Sequence, residues 1–439
     1  MSFKTTTMRF GRRRVLVARP NERQYGHLGL EVGMSLARAR EADADVYFVR
    51  PSTPIGGGLF ELESPQVHVL RPTAVVRELL RTCVSWQMLL DRLDDWRGEV
   101  REHIEQELVR EVTRYVADAG TPAEVRERLR GVRGRIRDSL DHVARERRRR
   151  PAYFERRLLR EPVPVRLHPA AREEAERQAR AHGIPPDARL VCVHAREAGY
   201  KQGNEIQDRK PHDGRDDTAR NVRIETYFEA VDYLVQRGYT VVRIGDPSMR
   251  PVRHAGVVDL AVSPTRTNLL EIYCMLRSDL LIAGESGLAG ITYVTNTPFL
   301  LVNSTEPISS YPIRAPGLFL PKTVVDKRDG RRLTSLDLLS VDYHRQFRDT
   351  RRYLYVDNTP AEVRAATEEM LEWVGGRWTE SAGQRQYHET IMEATAKFWS
   401  SSIYVRKWGL HDGFLGDGRI AKVALGTQEH PGELSALTG

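Results

Sequence analysis

A short apolar run near the middle of the chain, Arg189-Leu190-Val191-Cys192-Val193-His194-Ala195-Arg196, ends abruptly in a histidine and an arginine. Its β-branched residues favour a buried strand. In open α/β sheets, ligands bind beyond the carboxyl ends of the strands, where loops and helix amino termini meet. The sequence therefore predicts that His194 and Arg196 face a ligand, and the arginine favours an anion.

A helix and a second strand come after this run. Apolar residues recur at steps of three and four between residues 223 and 236, which predicts an amphipathic helix that Gly238 ends. Residues 239–244 form the next predicted strand, and Gly245-Asp246-Pro247 stands at its carboxyl end. Because a strand, a helix and a strand form a βαβ unit, the sheet is predicted to be parallel.

The same pattern continues along the chain. After a helix opened by a capping box of Asn268 and Glu271, residues 279–283 form a third predicted strand and residues 298–302 a fourth. The third strand ends in Gly284-Glu285-Ser286-Gly287, where the serine can cap the next helix. Polar residues thus come directly after three strands of one sheet, as a cleft for a phosphorylated sugar or a nucleotide requires.

The amino-terminal part of the chain shows a similar pattern. Predicted strands at 14–18, 46–49 and 67–70 accompany a helix that begins near His27. His27 and Glu31 lie four residues apart on one face of this helix, so either could act as a general base on an acceptor hydroxyl. A capping or surface role for the histidine is the alternative.

Several of these residues resemble a family of bacterial glycosyltransferases known chiefly from sequence. The resemblance rests on the following motifs: His194-Ala195-Arg196, Arg220-Asn221, the Gly245 turn, Ser278-Asp279 and Ser286-Gly287-Leu288. It extends from about Gly26 to Pro360. More distantly, the His-x-Arg strand end is similar to peptide O-fucosyltransferases, and the Gly-Glu-Ser-Gly loop is similar to heptosyltransferases.

The resemblance implies the GT-B fold, in which two Rossmann-like domains face a cleft and the second domain holds most of a nucleotide-sugar donor. The following roles are expected: Arg196 and His194 with the amides of Ser286, Gly287 and Leu288 for the diphosphate, Gly245, Asp246 and Glu285 for the nucleotide and its ribose, and Asn221 for orienting the donor or a loop. His27 and Glu31 are the catalytic candidates.

The length of 439 residues allows two or three domains. The expected division is an acceptor-side Rossmann-like domain at 1–72, an arginine-rich helical insertion at 73–160, a linker and helix at 161–187, a nucleotide-sugar-binding Rossmann-like domain at 188–345, and carboxy-terminal helices and a tail at 346–439. The charged loop at 197–221 is expected to act as a lid over the ligand.

The net charge of +8 suits anionic partners of several kinds. The basic run from Arg145 to Arg150 could contact membrane phosphate or nucleic acid, or form a solvated helix face. Cys192 and Cys274 are expected to be small buried hydrophobes. Without a signal core or an apolar run of membrane length, the sequence predicts a cytoplasmic protein, with peripheral contact to the inner membrane face left open.

No metal or cofactor is predicted. Asp43-Ala44-Asp45 has the Asp-x-Asp spelling of metal-dependent glycosyltransferases, but it precedes a strand, whereas that metal site comes after one.

The sequence therefore predicts an enzyme, a metal-independent glycosyltransferase that moves a hexosyl or related sugar from a nucleotide-sugar to an acceptor hydroxyl in glycan or glycoconjugate synthesis. The acceptor could be a glycan, a lipid-linked molecule or a protein. Two alternatives stay open: a nucleotide-sugar 2-epimerase, and a nucleic-acid-binding protein that uses the basic helices. Nucleic acid is the less favoured partner, because aromatic residues do not alternate with the arginines.

Overall fold

The computed structural model describes residues 4–10, 13–20, 25–49, 56–71, 155–198, 217–308, 311–340, 342–343, 348–399 and 414–428. By its internal contacts the chain divides into one unit of residues 1–70 and 153–439 and another of residues 71–152. Most of the predicted helical insertion, including Arg145 to Arg150, and the greater part of the predicted lid lie outside the described residues. Every described strand and helix belongs to the first unit.

The described strands and helices alternate along most of the chain. The strands are β1 Lys4–Phe10, β2 Arg13–Arg19, β3 Asp45–Phe48, β4 Leu62–Glu63, β5 Arg166–Leu167, β6 Arg189–His194, β7 Tyr239–Arg243, β8 Val257–Asp259, β9 Ser278–Ala283, β10 Phe299–Ser304, β11 Gly317–Pro321, β12 Thr323–Asp326, β13 Tyr353–Val356 and β14 Arg419–Ile420. The α-helices are α1 Tyr25–Glu41, α2 Pro169–Ala181, α3 Phe228–Gln236, α4 Asn268–Arg277, α5 Ala289–Thr295, α6 Ser335–Leu338, α7 Pro360–Val374, α8 Ala382–Trp399 and α9 Lys422–Gln428. Short 3-10 helices cover Gly57–Glu61, Arg156–Leu159, Asp217–Arg220 and Ile224–Tyr227.

The largest sheet has seven strands in the order β14-β11-β10-β9-β6-β7-β8. Every pairing within it is parallel. The middle of β6 is fully buried because helices cover both faces of such a sheet. The prediction of a parallel α/β sheet that contains β6 as a buried strand is confirmed.

The strand order of the large sheet reverses beside β6. From β6 the chain proceeds through β7 and β8 towards one edge, and then returns to place β9, β10 and β11 on the other side. The crevice between β6 and β9 is therefore the switch point where ligands bind in sheets of this kind.

A smaller sheet has the order β1-β2-β3. β2 and β3 run parallel, as the sequence predicts, while β1 adds an antiparallel edge that the sequence does not predict. The predicted strand at 67–70 amounts to a single bridge between Val46 and Val69. The sequence-based prediction also lacks three strands of the large sheet, β8, β11 and β14. β14 comes from near the carboxyl end of the chain and pairs with β11.

Glycines bring α1 directly against α5. A Cβ on Gly26 would lie 2.5 Å from the Cα of Gly287, and a Cβ on Gly29 would lie 2.8 Å from the carbonyl oxygen of Gly290. A side chain at either position would overlap backbone, so the absence of a Cβ permits this approach. The amino terminus of α1 consequently touches the loop that comes after β9.

The structure decides which residues cap the helices. For α7 the sequence allows either Asn358 or Thr359, and Thr359 is the cap, in a capping box with Glu362. For α4 the predicted capping box of Asn268 and Glu271 is wrong by one residue: the Thr267 hydroxyl accepts from the amide of Leu270, so threonine is the cap. Glu271 then points towards the Gly245 turn.

Candidate functional site

The ends of β6 and β9 meet at the switch point. His194 pairs with Ala283, and the Gly284 amide donates to the His194 carbonyl at 3.1 Å. The next residues of both strands, which include Arg196 and Glu285, therefore emerge side by side. The sequence-based expectation that these strand ends lie together is met by the structure.

Glu285 is buried and fully engaged. Its Oε2 accepts from the amide of Thr305 at 3.0 Å and from the Thr305 hydroxyl at 2.6 Å, while Oε1 pairs with the Arg348 guanidinium. Burial alone would raise the pKa of Glu285, but the charges of Arg348 and Arg220, with the Thr305 donors, outweigh it and lower the pKa. Glu285 is therefore an anion at neutral pH.

Arg196 lies beside this carboxylate. Its Nη1 donates to Oδ1 of Asn221. Burial, together with the smaller effect of the positive charge of Arg348, lowers the pKa of Arg196 to about 10, and Glu285 opposes that shift. The guanidinium thus remains charged at neutral pH while another guanidinium repels it.

Three arginines gather at the switch point. Arg196, Arg220 and Arg348 all interact electrostatically with Glu285, which is a single carboxylate. A further cation, Lys322, is already balanced by Asp357 at 2.7 Å.

A cleft of about 310 Å³ opens beside Arg196. It is lined by Arg196, Glu197, Ala198, Asn221, Val222, Arg223, Arg250 and Asp357. Both carboxylate oxygens of Glu197 are engaged within the protein. One pairs with the buried Arg243 at 3.1 Å, and the other accepts from the Arg250 amide at 2.9 Å. The lining of the cleft thus combines three arginines with two acids, Glu197 and Asp357.

His194 is a neutral ring. Its Nδ1 donates to the carbonyl of Ile244 at 3.0 Å. Burial lowers the pKa of His194 to about 4, with the charges of Arg243 and Arg196 adding to the effect. Because its single N–H is used on Ile244, the unprotonated Nε2 can only accept. The neutral ring therefore offers a phosphate neither a hydrogen bond nor a positive charge, and the expected diphosphate-binding role of His194 is not supported by this geometry.

The Gly245 turn is shaped by close packing. Gly245 has a φ of 151°, and a Cβ there would lie 2.6 Å from the sulfur of Met249. Its amide donates to Glu271 at 3.4 Å. Asp246 accepts from the amide of Ser248 at 2.9 Å and from its hydroxyl at 2.5 Å, so one of its oxygens holds the turn. The other carboxylate oxygen of Asp246 is the one that could orient a nucleotide-sugar donor.

The loop after β9 leads into α5, as the sequence indicates. The prediction that Ser286 caps this helix is wrong, because the cap position of α5 is Leu288 and no side chain caps it. The Leu288 amide donates instead to the Ser286 hydroxyl at 3.3 Å within the preceding turn, so that amide is partly engaged. Within the part of the chain that the structure describes, the amides of Ser286 and Gly287 donate no hydrogen bond. Of the three predicted diphosphate-binding amides, these two are the better candidates.

The two catalytic candidates lie in α1. His27 is partly exposed in its first turn, next to Gly26, which contacts Gly287. Glu31 has no exposed surface. Only His27 can reach a ligand without a movement of the helix, so it is the better placed of the two.

Sequence reasoning missed several residues of the site. Thr305 could have been found, because it comes directly after β10 and the same strand-end rule applies to it. Arg348 could not, because it reaches Glu285 from a distant segment that is held by tertiary contacts: its amide donates to the Tyr355 hydroxyl at 3.0 Å. Lys322, at the end of β11, was likewise missed.

Among the described residues, no group of three or more histidine, cysteine, aspartate or glutamate side chains is arranged to hold a metal ion. Cys192 and Cys274 are buried free thiols, as expected. No helix in the described ranges combines the length and apolar character needed to cross a membrane.

Comparisons with known proteins give weak matches. No protein-family model matches the chain, and no curated protein matches it. Among solved structures, a family 9 glycosyl transferase from Veillonella parvula matches with 17% identity and a TM-score of 0.26, over 36% of this chain and 42% of that one. The ADP-heptose LPS heptosyltransferase II of E. coli matches with 12% identity and a TM-score of 0.30, over 65% of this chain and 83% of that one.

A dodecameric iron-containing heptosyltransferase, solved in complex with ADP-D-beta-D-heptose, matches with 15% identity and a TM-score of 0.23, over 43% of this chain and 46% of that one. The first of the three solved structures is thus matched over less than half of its length. TM-scores this low decide neither the fold nor the function of the chain.

Proposed function

We propose that this chain is a glycosyltransferase that moves a sugar from a nucleotide-sugar donor to an acceptor hydroxyl. The donor's diphosphate binds at the carboxyl ends of β6 and β9. The acceptor is a glycan, a lipid-linked molecule or a protein.

One observation carries the proposal: Arg196, Arg220 and Arg348 gather near the carboxylate of Glu285, at the carboxyl ends of β6 and β9. Arg348 repels Arg196 in this partly buried site, and a bound anion would reduce that repulsion. A diphosphate supplies negative charge, and its departure from the sugar creates more of it. Preorganised guanidinium groups stabilise such developing charge at no further cost of reorganisation.

The sheet topology supports the same site. The switch point between β6 and β9 is where sheets of this order bind nucleotides. The Ser286 and Gly287 amides lie at this edge, and backbone N–H groups are good phosphate donors. The cleft of about 310 Å³ is large enough for part of a nucleotide.

The roles of individual residues are refined by their contacts. Arg196 binds the diphosphate, with Arg348 and Arg220 beside it. Glu285, whose two oxygens are engaged, holds these arginines in place and is not assigned to the ribose. Gly245 and Asp246 remain the candidates for the nucleotide.

We further propose a GT-B arrangement, with the acceptor on the side of residues 1–72 and the donor on residues 188–345. The contact between Gly26 and Gly287 supports it, because it brings His27 close to the donor loop. His27 then removes the proton of the acceptor hydroxyl.

The proposal is tested by thermal unfolding with pyrophosphate, nucleoside diphosphates and nucleotide-sugars. A ligand at about a hundred times its Kd adds about 2.7 kcal/mol to the free energy of unfolding. Arg196→Ala should weaken binding without abolishing it, and so reduce this gain. Arg189→Ala is the matched control, since Arg189 lies at the opposite end of β6 and pairs with Asp279.

Failure of every such ligand to stabilise the parent chain would overturn the proposal. Equal stabilisation of the parent and Arg196→Ala would remove Arg196 from the site. Once a donor is found, its consumption must depend on an acceptor, because a nucleotide-sugar 2-epimerase would consume the donor alone.

A further inference from the structure

A buried lysine lies beneath the proposed diphosphate site. Lys322 comes directly after β11, and only 2% of its side chain is exposed. Its Nζ donates to the backbone carbonyl of Asn221 at 3.0 Å and to Oδ1 of Asp357 at 2.7 Å. The lysine therefore connects the end of one strand to a loop and to a residue close to the Thr359 cap of α7.

Asn221 is held at both of its carbonyl groups. Lys322 binds the backbone carbonyl, and Arg196 donates to the side-chain carbonyl. The Asn221 amide donates to the Thr218 carbonyl at 2.9 Å, and the Val222 amide donates to the Arg196 carbonyl at 3.0 Å. The position of the Asn221 side chain, and with it the guanidinium of Arg196, therefore depends on Lys322.

Stability alone does not explain a lysine at this position. A buried ion pair can often be replaced by apolar side chains of similar volume with no loss, because desolvation of the two charges offsets their attraction. The Lys322 and Asp357 charges also cancel, so the pair adds little net charge to the site. What the lysine supplies is a directed donor to one carbonyl.

We propose that Lys322 is a positioning residue for anion binding, acting through Asn221 to fix the guanidinium of Arg196 in the cleft. This inference rests on the proposed function, in which Arg196 binds a diphosphate. Lys322 itself does not touch the ligand.

The test is a double-mutant cycle on pyrophosphate binding, measured by isothermal titration calorimetry on the full chain. Lys322→Met should weaken binding by about tenfold, which is the change that a coupling of about 1.4 kcal/mol produces. In an Arg196→Ala background the same substitution should cause no further loss. A general effect of charge or folding would instead add to the loss from Arg196→Ala.

Two further variants keep the test decisive if Lys322→Met folds poorly. Asn221→Ala removes the side-chain carbonyl while leaving the backbone carbonyl to Lys322, and it should weaken pyrophosphate binding as much, again with no further loss in the Arg196→Ala background. Lys327→Met is the matched control, because Lys327 is exposed and donates to the Thr350 carbonyl at 2.8 Å. It should leave the Kd unchanged.

The outcomes separate this inference from the function on which it rests. If the parent chain binds pyrophosphate and the losses from Lys322→Met and Arg196→Ala add, the positioning role is overturned and the proposed function stands. The same holds if neither Lys322→Met nor Asn221→Ala weakens binding. If the parent binds neither pyrophosphate nor nucleoside diphosphates, both are overturned.

Discussion

His194 makes the stability of the fold sensitive to acid. Its pKa falls from about 6.5 in the unfolded chain to about 4 in the folded one, because the fold buries the ring. The contribution of neutral His194 to the free energy of unfolding is fully present above pH 6.5. It is lost as pH falls towards 4, since the unfolded chain then binds the proton more readily. At pH 5 the loss is about 2 kcal/mol.

The measurement is urea unfolding at pH 7.5 and pH 5 for the parent and His194→Gln. The variant should lose about 2 kcal/mol less between the two values of pH than the parent does. His388, whose pKa is also lowered to about 4 by burial, is retained in both proteins and cancels in the comparison. An identical pH dependence in the two proteins would show that His194 is not buried as described.

Glu285 is expected to be the most sensitive carboxylate of the site. Glu285→Gln leaves buried arginines without their counter-charge, so the free energy of unfolding should fall by about 3–5 kcal/mol. Pyrophosphate should restore part of the loss, because the anion supplies the missing charge. Differential scanning calorimetry with and without pyrophosphate measures both effects.

The control is Glu368→Gln. Glu368 forms an exposed pair with Arg364 at 2.9 Å, and such pairs contribute about 0.3–0.5 kcal/mol. If Glu285→Gln lowered the free energy of unfolding no more than Glu368→Gln does, the inference that the Glu285 carboxylate offsets the charges of the arginines would be wrong.

At the scale of single residues, the sequence predicted the part of the site that lies on strand ends. Arg196 and Glu285 come after apolar runs, and parallel strands bring such ends together. Arg348 comes after no such run. Its place depends on a loop bonded to Tyr355, which only the folded chain reveals. The proposed role of Glu285 changed for the same reason, since Thr305 and Arg348 already occupy its oxygens.

At the scale of elements, α1 and α5 meet along a seam formed by Gly26, Gly29, Gly287 and Gly290. This seam predicts that two glycine-to-alanine substitutions change the free energy of unfolding in opposite directions. A Cβ on Gly290 would overlap the carbonyl of Gly26, so Gly290→Ala should lower the free energy of unfolding by more than about 2 kcal/mol. Gly426 lies in α9 with no atom within 4 Å of the added Cβ, so Gly426→Ala should gain up to about 1 kcal/mol.

Thermal unfolding of both variants measures the difference. Because the seam abuts the loop after β9, Gly290→Ala should also weaken pyrophosphate binding, whereas Gly426→Ala should not. Equal stability of the two proteins would mean that α1 and α5 do not pack as closely as described.

The sequence predicted four of the seven strands of the large sheet, β6, β7, β9 and β10, because each of them is a short apolar run between glycine or polar turns. Cap positions were less certain: Thr267 and Asn268 are both good caps, and local sequence could not choose between them. β14 could not be predicted, since two residues carry no periodicity and their conformation depends on the neighbouring β11.

At the scale of the whole molecule, the carboxy-terminal segment completes the core. Leu415 and Ile420 are fully buried, and the Leu415 carbonyl accepts from Arg156 at 2.9 Å. A chain ending at residue 413 should therefore unfold at a lower temperature and associate through the exposed edge of β11. Calorimetry and size-exclusion chromatography test this, with Ile420→Ser as a milder variant. An unchanged, monodisperse truncated chain would contradict it.

The contact between Gly26, at the start of α1, and Gly287, in the loop after β9, also limits which substitutions this chain can accept over evolutionary time. Where two backbones touch, neither partner can shrink to make room for growth in the other, since no residue is smaller than glycine. Compensating substitutions are thus closed off at Gly26 and Gly287, and these positions should be inherited together or lost together.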